Sequence, residues 1–236
     1  MDDQNVVVVS QKDTENFWDK RFKKDWGEGK NPDPRFLSFI EKYHKEIGPK
    51  VLDIASGEGR HLIPMAEFGY KMTGLELSKV GIEVTKQKLK DSGLKVELVK
   101  GSFREMPFEL EFFDTVFSTQ AFNRNDWKGA KKTFSETARV LKKDGLFFLR
   151  VKSNSIPFDK NRGEITTLIN EPIDPDFPIQ DRGVTFSKER EIEKGIPSKE
   201  IIHAYSLSEL RSLGRKYGLV IIELPLDKKR EGEKGQ

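Results

Sequence analysis

The hydrophobic positions of this chain change period repeatedly, and those changes set out an alternation of helices and strands. Phe36, Phe39, Ile40 and Tyr43 recur at the spacing of an amphipathic helix that begins after Pro34, and Trp18, Phe22 and Trp26 mark another helix before it. Val51, Leu52 and Ile54 then form the short apolar run of a strand buried on both faces. A helix over 58–68 closed by Gly69, a strand over 71–77, a helix over 80–91 and a strand over 95–99 follow. That βαβαβ order requires parallel strands joined by right-handed crossovers. A fourth strand over 115–118, a helix face of Trp127, Ala130, Phe134, Ala138 and Leu141, and a fifth strand over 146–151 extend it. The expected fold class is α/β, a doubly wound and mostly parallel sheet with helices on both faces.

The pattern breaks from 153 to 199. Pro157, Pro172, Pro175, Pro178 and Pro197 are spaced through polar sequence that offers one short strand, around 184–186. A loop of this length inside a compact domain is functional or mobile, so a lid-like insertion is expected here. Order resumes at Ser206, where Ser206 and Glu209 make a capping-box pattern and Leu207, Leu210, Leu213 and Tyr217 give a helix face closed by Gly218. A final strand over 219–224 and a charged tail complete a single domain. Its parts are an N-terminal helical cap (1–47), a core (48–152), the insertion (153–199), the last helix and strand (200–226) and the tail (227–236).

Chemistry enters where the first strand ends. Asp53 is followed by Ala55, Ser56, Gly57, Glu58 and Gly59, whose glycines let the backbone turn tightly and approach a ligand before the next helix. Glu76 ends the second strand, where an acid at a strand tip receives the hydroxyl pair of a ribose. Further along come Gly101-Ser102-Phe103-Arg104-Glu105-Met106-Pro107-Phe108, then Phe113-Asp114-Thr115-Val116-Phe117-Ser118, then 139–149 with Asp144-Gly145 before the fifth strand. This series, from about 50 to 152, closely resembles the class I S-adenosylmethionine-dependent methyltransferases of small-molecule type, and that resemblance implies a Rossmann-like fold and S-adenosyl-L-methionine as cofactor.

By that resemblance, Ala55, Ser56, Gly57 and Gly59 wrap the methionine part of the cofactor, Asp53 lies near its amino group and Glu76 accepts both ribose hydroxyls. Leu77 lies against the adenine, Ser102 and Phe103 meet its edge, and Ser118 belongs to the fourth motif beside the reacting groups. The family commonly has Asp where Ser102 stands and Gly-Cys where Ala55-Ser56 stand. Trp18, in Phe17-Trp18-Asp19-Lys20-Arg21-Phe22, resembles an N-terminal element that covers the cofactor, with core packing the competing reading. Arg60 is either a partner of the cofactor carboxylate or a surface residue of a helix start. Methyl transfer from a sulfonium is an in-line displacement that needs no metal, so alignment and exclusion of water carry it. Asn123, Arg124, His203 and Tyr205 are the acceptor-side candidates, and His203 or Tyr205 would serve as a base for a hydroxyl acceptor. The stretch from Ser118 to Asn123 lacks the Asn-Pro-Pro-aromatic pattern of nucleobase amino methyltransferases. The family usually has two strands after its last helix, whereas here one fits, so either the sheet is one strand short or Val6 to Val9 or the insertion supplies the other.

Composition narrows the rest. The 236 residues fit one α/β domain. Lys and Arg number 42 against 39 Asp and Glu, a spread of charge that reads as solvated surface rather than a nucleic-acid footprint. The absence of cysteine excludes disulfides and thiolate catalysis, and His44, His61 and His203 are too scattered to predict a metal site. No apolar run approaches the length of a membrane span, so a cytoplasmic protein with a small-molecule partner is expected, its oligomeric state open. Two competitors remain. A nicotinamide-dependent oxidoreductase would share Gly57, Gly59 and an acid at 76, but Leu62 stands where its third glycine is expected. A non-catalytic S-adenosylmethionine-binding protein would share everything except turnover.

Overall fold

A computed structural model of the chain describes residues 10–24, 31–153, 165–169, 184–193 and 196–220, with side chains described through 10–24, 31–153 and 201–220. Five strands, β1 (Lys50–Ile54), β2 (Lys71–Glu76), β3 (Val96–Lys100), β4 (Phe113–Thr119) and β5 (Leu141–Arg150), form one sheet in the order β3-β2-β1-β4-β5. All four pairings are parallel, as the alternation predicts. The chain leaves β1 on one side to build β2 and β3 and returns on the other to build β4 and β5. Neighbouring crossovers therefore diverge at the carboxyl ends of β1 and β4, where such sheets open a ligand crevice.

Helices cover both faces. On one, Phe36 and Ile40 of α2 (Pro34–Tyr43) and Leu62 and Met65 of α3 (Leu62–Glu67) bury Val51, Met72 and Phe117. On the other, Trp127, Ala130 and Phe134 of α5 (Trp127–Val140) and Leu213 of α6 (Leu207–Tyr217) bury Leu52, Ile54, Leu75 and Val116. Helix α4 (Lys79–Leu89) follows β2, and the N-terminal α1 (Gln11–Lys23) lies against it. Polar caps fix the helix starts: Ser10 with Asp13 for α1, Asp33 ahead of Pro34 for α2, Ser78 for α4, Asp126 for α5 and Ser206 with Glu209 for α6. Gly218, at φ 73°, ends α6 in the left-handed conformation, as expected.

Three expectations change. The helix expected over 58–68 begins only at Leu62, because Gly57 and Gly59 have φ of 57° and 78° and the chain spends the intervening residues in turns. Strand β5 starts at Leu141, five residues early, and its register against β4 shifts between Phe113 and Thr115. The insertion, expected as a loop with one short strand, contains an antiparallel sheet of β6 (Ile165–Ile169), β7 (Val184–Glu193) and β8 (Ile196–Ala204), in the order β6-β7-β8. The expected strand over 184–186 is the start of β7, and antiparallel strands need no continuous apolar run, so its charged continuation was not expected. Its register sets Lys188 opposite Glu200 and Glu189 opposite Lys199. The end of β8 is joined to the parallel core by amide bonds from His203 to Asn123 O (2.8 Å) and from Tyr205 to Lys152 O (2.9 Å). Trp26, Val6 to Val9, the tail and all but the first two residues of the expected strand over 219–224 lie outside the described residues.

Candidate functional site

The crevice is bounded first by the turn after β1. Ala55 leaves the strand at φ 60°, and the amide of Ser56 bonds back to Leu75 O at 3.1 Å. The turn then nests against α4, where Thr85 Oγ1 donates to Gly57 O at 3.0 Å. Close approach to β2 depends on Gly74, since a Cβ there would stand 2.8 Å from Ser56 Oγ and 2.9 Å from Leu62 Cδ1.

Two carboxyl groups sit under this turn. Glu76 is buried, and its two oxygens accept the amides of Gly57 and Ser78, each at 2.8 Å. The acid at the tip of β2 thereby holds the glycine turn and the start of α4 in one piece. Burial raises its pKa against the pull of those backbone bonds. Asp53, also buried, is held well above the usual carboxylate range by burial and then by Glu76 beside it. Its Oδ2, like Ser56 Oγ, is buried without a hydrogen-bond partner.

The N-terminal helix reaches the same place. Asp19 Oδ1 accepts from Ser78 Oγ at 2.5 Å and from the Val80 amide at 3.2 Å, which ties α1 to the start of α4. A Cβ on Gly57 or Gly81 would stand 3.4 Å or 3.0 Å from the ring of Phe22, so that ring rests against the glycine turn. Trp18, half-buried, stacks on Phe22 at 5.7 Å and meets the Arg124 guanidinium, 5.4 Å from its ring centroid. Trp18 thus links α1 to the segment after β4 and is not a core residue. Leu77 is half-buried next to Glu76. Ser102 Oγ accepts the Arg104 amide at 3.2 Å, and Phe103 stacks on Phe122 at 6.1 Å.

Beyond β4 the predicted residues divide. Ser118 is buried and donates to Ile54 O at 3.1 Å, pinning β4 to β1 just below the turn. Asn123, His203 and Tyr205 come together in a buried block. Asn123 donates to His203 O at 2.7 Å and accepts the Lys152 amide at 2.9 Å, and the Tyr205 hydroxyl donates to Phe122 O at 3.1 Å. The His203 ring meets Glu209 Oε2 at 3.2 Å and packs edge-on to Tyr205 at 4.6 Å. Arg124 stands apart from this block, on Trp18.

A second group, unanticipated apart from Arg60, lies at the ends of β4 and β5. Thr119 Oγ1 accepts from Arg60 Nη2 at 3.4 Å and lies 3.4 Å from His61 Nδ1. His61 Nε2 accepts the Asp33 amide at 3.1 Å, which places the ring proton on Nδ1. Burial first, then Arg60, pushes the His61 pKa down to about 3, so the ring is neutral. Asp33 also pairs with Arg150. The sequence signal was slight: Asp33-Pro34 as a helix start, and an arginine ending a strand.

Among the described residues no group of three or more His, Asp or Glu could hold a metal, and no helix is long and apolar enough to cross a membrane. Residues 51–145 match the family described as "Methyltransferase domain". EEF1A lysine methyltransferase 2 of Danio rerio is 27% identical over 60% of this chain and 69% of its own length. Sarcosine/dimethylglycine N-methyltransferase of Aphanothece halophytica is 34% identical over 42% of this chain and 36% of its own, so the chain spans only part of these curated relatives. The crystal structure of a S-adenosylmethionine-dependent methyltransferase from Clostridium acetobutylicum ATCC 824 covers 94% of both chains with a TM-score of 0.61 at 17% identity, a likeness of fold. The matched core over 51–145 is a methyltransferase domain, and its parallel sheet and glycine turn are similar to those of the class I S-adenosylmethionine-dependent methyltransferases.

Proposed function

We propose that the protein transfers a methyl group from S-adenosylmethionine to a small molecule, using the crevice between the turn after β1 and the ends of β4 and β5. The observation that carries this reading is the Glu76 carboxylate, gathered by the Gly57 and Ser78 amides beside the unpartnered Asp53 Oδ2. Two buried acids under a glycine turn fit a ligand that brings a cationic amine and a vicinal diol. Asp53 and Ser56 would hold the amine end, Ala55, Gly57 and Gly59 the chain between, and Glu76 the diol, since each of its oxygens retains acceptor capacity. Leu77, Ser102 and Phe103 would line the base, with Trp18 and Arg124 across the opening.

The cofactor supplies an electrophilic methyl on sulfur. The chain's own residues bind, align and exclude water, and this suffices for an in-line transfer when the acceptor is close and dry. Asn123, His203 and Tyr205 support the wall of that pocket, because their polar atoms are engaged with backbone carbonyls, an amide and Glu209. The acceptor would sit between the end of β8 and α1. The test is thermal unfolding with S-adenosylhomocysteine. At a concentration about 100-fold above Kd, linkage stabilises by roughly 2.7 kcal/mol, and labelled S-adenosylmethionine then reports transfer to acceptors in a screen. A shift with NAD and none with S-adenosylhomocysteine reverses the reading.

A further inference from the structure

The rim of β4 and β5 carries charge that cofactor binding does not use. Thr119 ends β4, and the register sets Arg150, the last residue of β5, beside it. From Thr119 a continuous chain of contacts runs through His61 and Asp33 to Arg150, while Arg60 reaches the same threonine from the glycine turn. One threonine, one histidine and one aspartate therefore bring two guanidinia to a single rim. The charged groups acting on Arg150 are Asp33, Arg35 and Arg60, Arg60 also acts on Asp53 of the acidic side, and His61, held neutral, adds no charge. Arg150 is only partly covered, its side chain 28% exposed, whereas the Asp33 side chain is 5% exposed. The anion is sequestered, and the Arg150 guanidinium remains partly exposed.

Guanidinia crowded in this way repel one another, and an incoming oxyanion relieves that repulsion while offering acceptors matched to their planar donor forks. We propose that Arg60 and Arg150 bind an oxyanion carried by the methyl acceptor, a carboxylate or phosphate, so that the enzyme selects acidic small molecules. This rests on the methyltransferase reading for its location. The same chemistry could come from the cofactor's own carboxylate, and the test separates the two sources.

Inorganic phosphate, at ionic strength matched with chloride, is titrated into the protein with and without saturating S-adenosylhomocysteine, following the unfolding temperature. The expected result is a saturable rise in the presence of S-adenosylhomocysteine that is lost in Arg60→Gln and in the Asp33→Asn/Arg150→Gln pair, which leaves no buried carboxylate unpaired. Calorimetry should find S-adenosylhomocysteine affinity within about twofold of wild type in the Asp33→Asn/Arg150→Gln protein. In the acceptor screen, acids should exceed their amides at least tenfold in kcat/KM. A phosphate effect that does not saturate, or that survives both variants, overturns the proposal. So does a tenfold loss of S-adenosylhomocysteine affinity in the Asp33→Asn/Arg150→Gln protein, which would assign the cluster to the cofactor carboxylate. If S-adenosylhomocysteine does not bind wild type at all, the cofactor reading fails instead, and the titration with phosphate alone still decides whether the two arginines hold an anion.

Discussion

The two sides of the crevice meet burial with opposite charge. Around β1 and β2 the ionisable groups are acids, Asp53 and Glu76, and burial pushes both upward. Around β4 and β5 they are mostly bases, and the buried one, His61, is pushed down to about 3. Each side disfavours its own charged form, but Glu76 is restrained by backbone amides while the histidine is locked as a neutral relay between a threonine and an aspartate. A cation suits the first side and an anion the second. The difference also gives the fold two opposed responses to pH.

The largest expected effect breaks the comparison on the basic side. His61 has a folded pKa below its ordinary value of 6.5, so its contribution is complete above that value and is lost as pH falls toward about 3. That window holds on the order of 4 kcal/mol. Stability measured by urea unfolding from pH 7 to pH 4 should fall less in His61→Gln than in wild type. An unchanged slope would mean that the ring takes up its proton alike in the folded and unfolded chain.

On the acidic side, Glu76→Ala removes the acceptor of two backbone amides as well as the diol partner. We expect roughly a 100-fold loss of S-adenosylhomocysteine affinity by calorimetry and about 3 kcal/mol of stability. Glu76→Gln should recover part of the stability but little of the affinity. Loss of stability alone would leave Glu76 a structural clamp.

Asp53→Asn sharpens the contrast through its sign. A carboxyl group whose folded pKa is raised contributes stability that is fully present below its unfolded pKa and is lost as pH rises through the folded one. The unliganded wild-type protein should therefore lose stability above the ordinary carboxylate range, and Asp53→Asn should flatten that decline while weakening S-adenosylhomocysteine. Parallel decline in both proteins would assign it to other groups. The smallest effect is expected at Ala55, a non-glycine residue at φ 60°. Ala55→Gly should relieve left-handed strain by up to about 1 kcal/mol, partly offset by greater chain entropy, without altering ligand affinity.

The acidic side was legible in the sequence because its parts are local. Asp53, the two glycines and Glu76 lie within two consecutive strands, and a buried apolar run next to a glycine turn is a strong signal. The basic side was not legible, since Asp33 and Arg150 are 117 positions apart and meet only after β5 is laid beside β4. His61 stands in the sequence only as one of three scattered histidines, and its neutral, buried state follows from partners 28 and 58 positions away. The capping box of α6 was visible because Ser206 and Glu209 are three residues apart. Of the antiparallel sheet only the start of β7, around 184–186, was legible, because a search for apolar runs overlooks charged strands.

The two amides held by Glu76 have a spectroscopic consequence. Gly57 and Ser78 belong to different segments, yet their protons end on one carboxylate. Their nitrogen-15 resonances should move together whenever that carboxylate takes up a proton or a ligand, and their exchange with deuterium should slow together. Two peaks in one spectrum would then record the occupancy and ionisation of the pocket before any acceptor has been found.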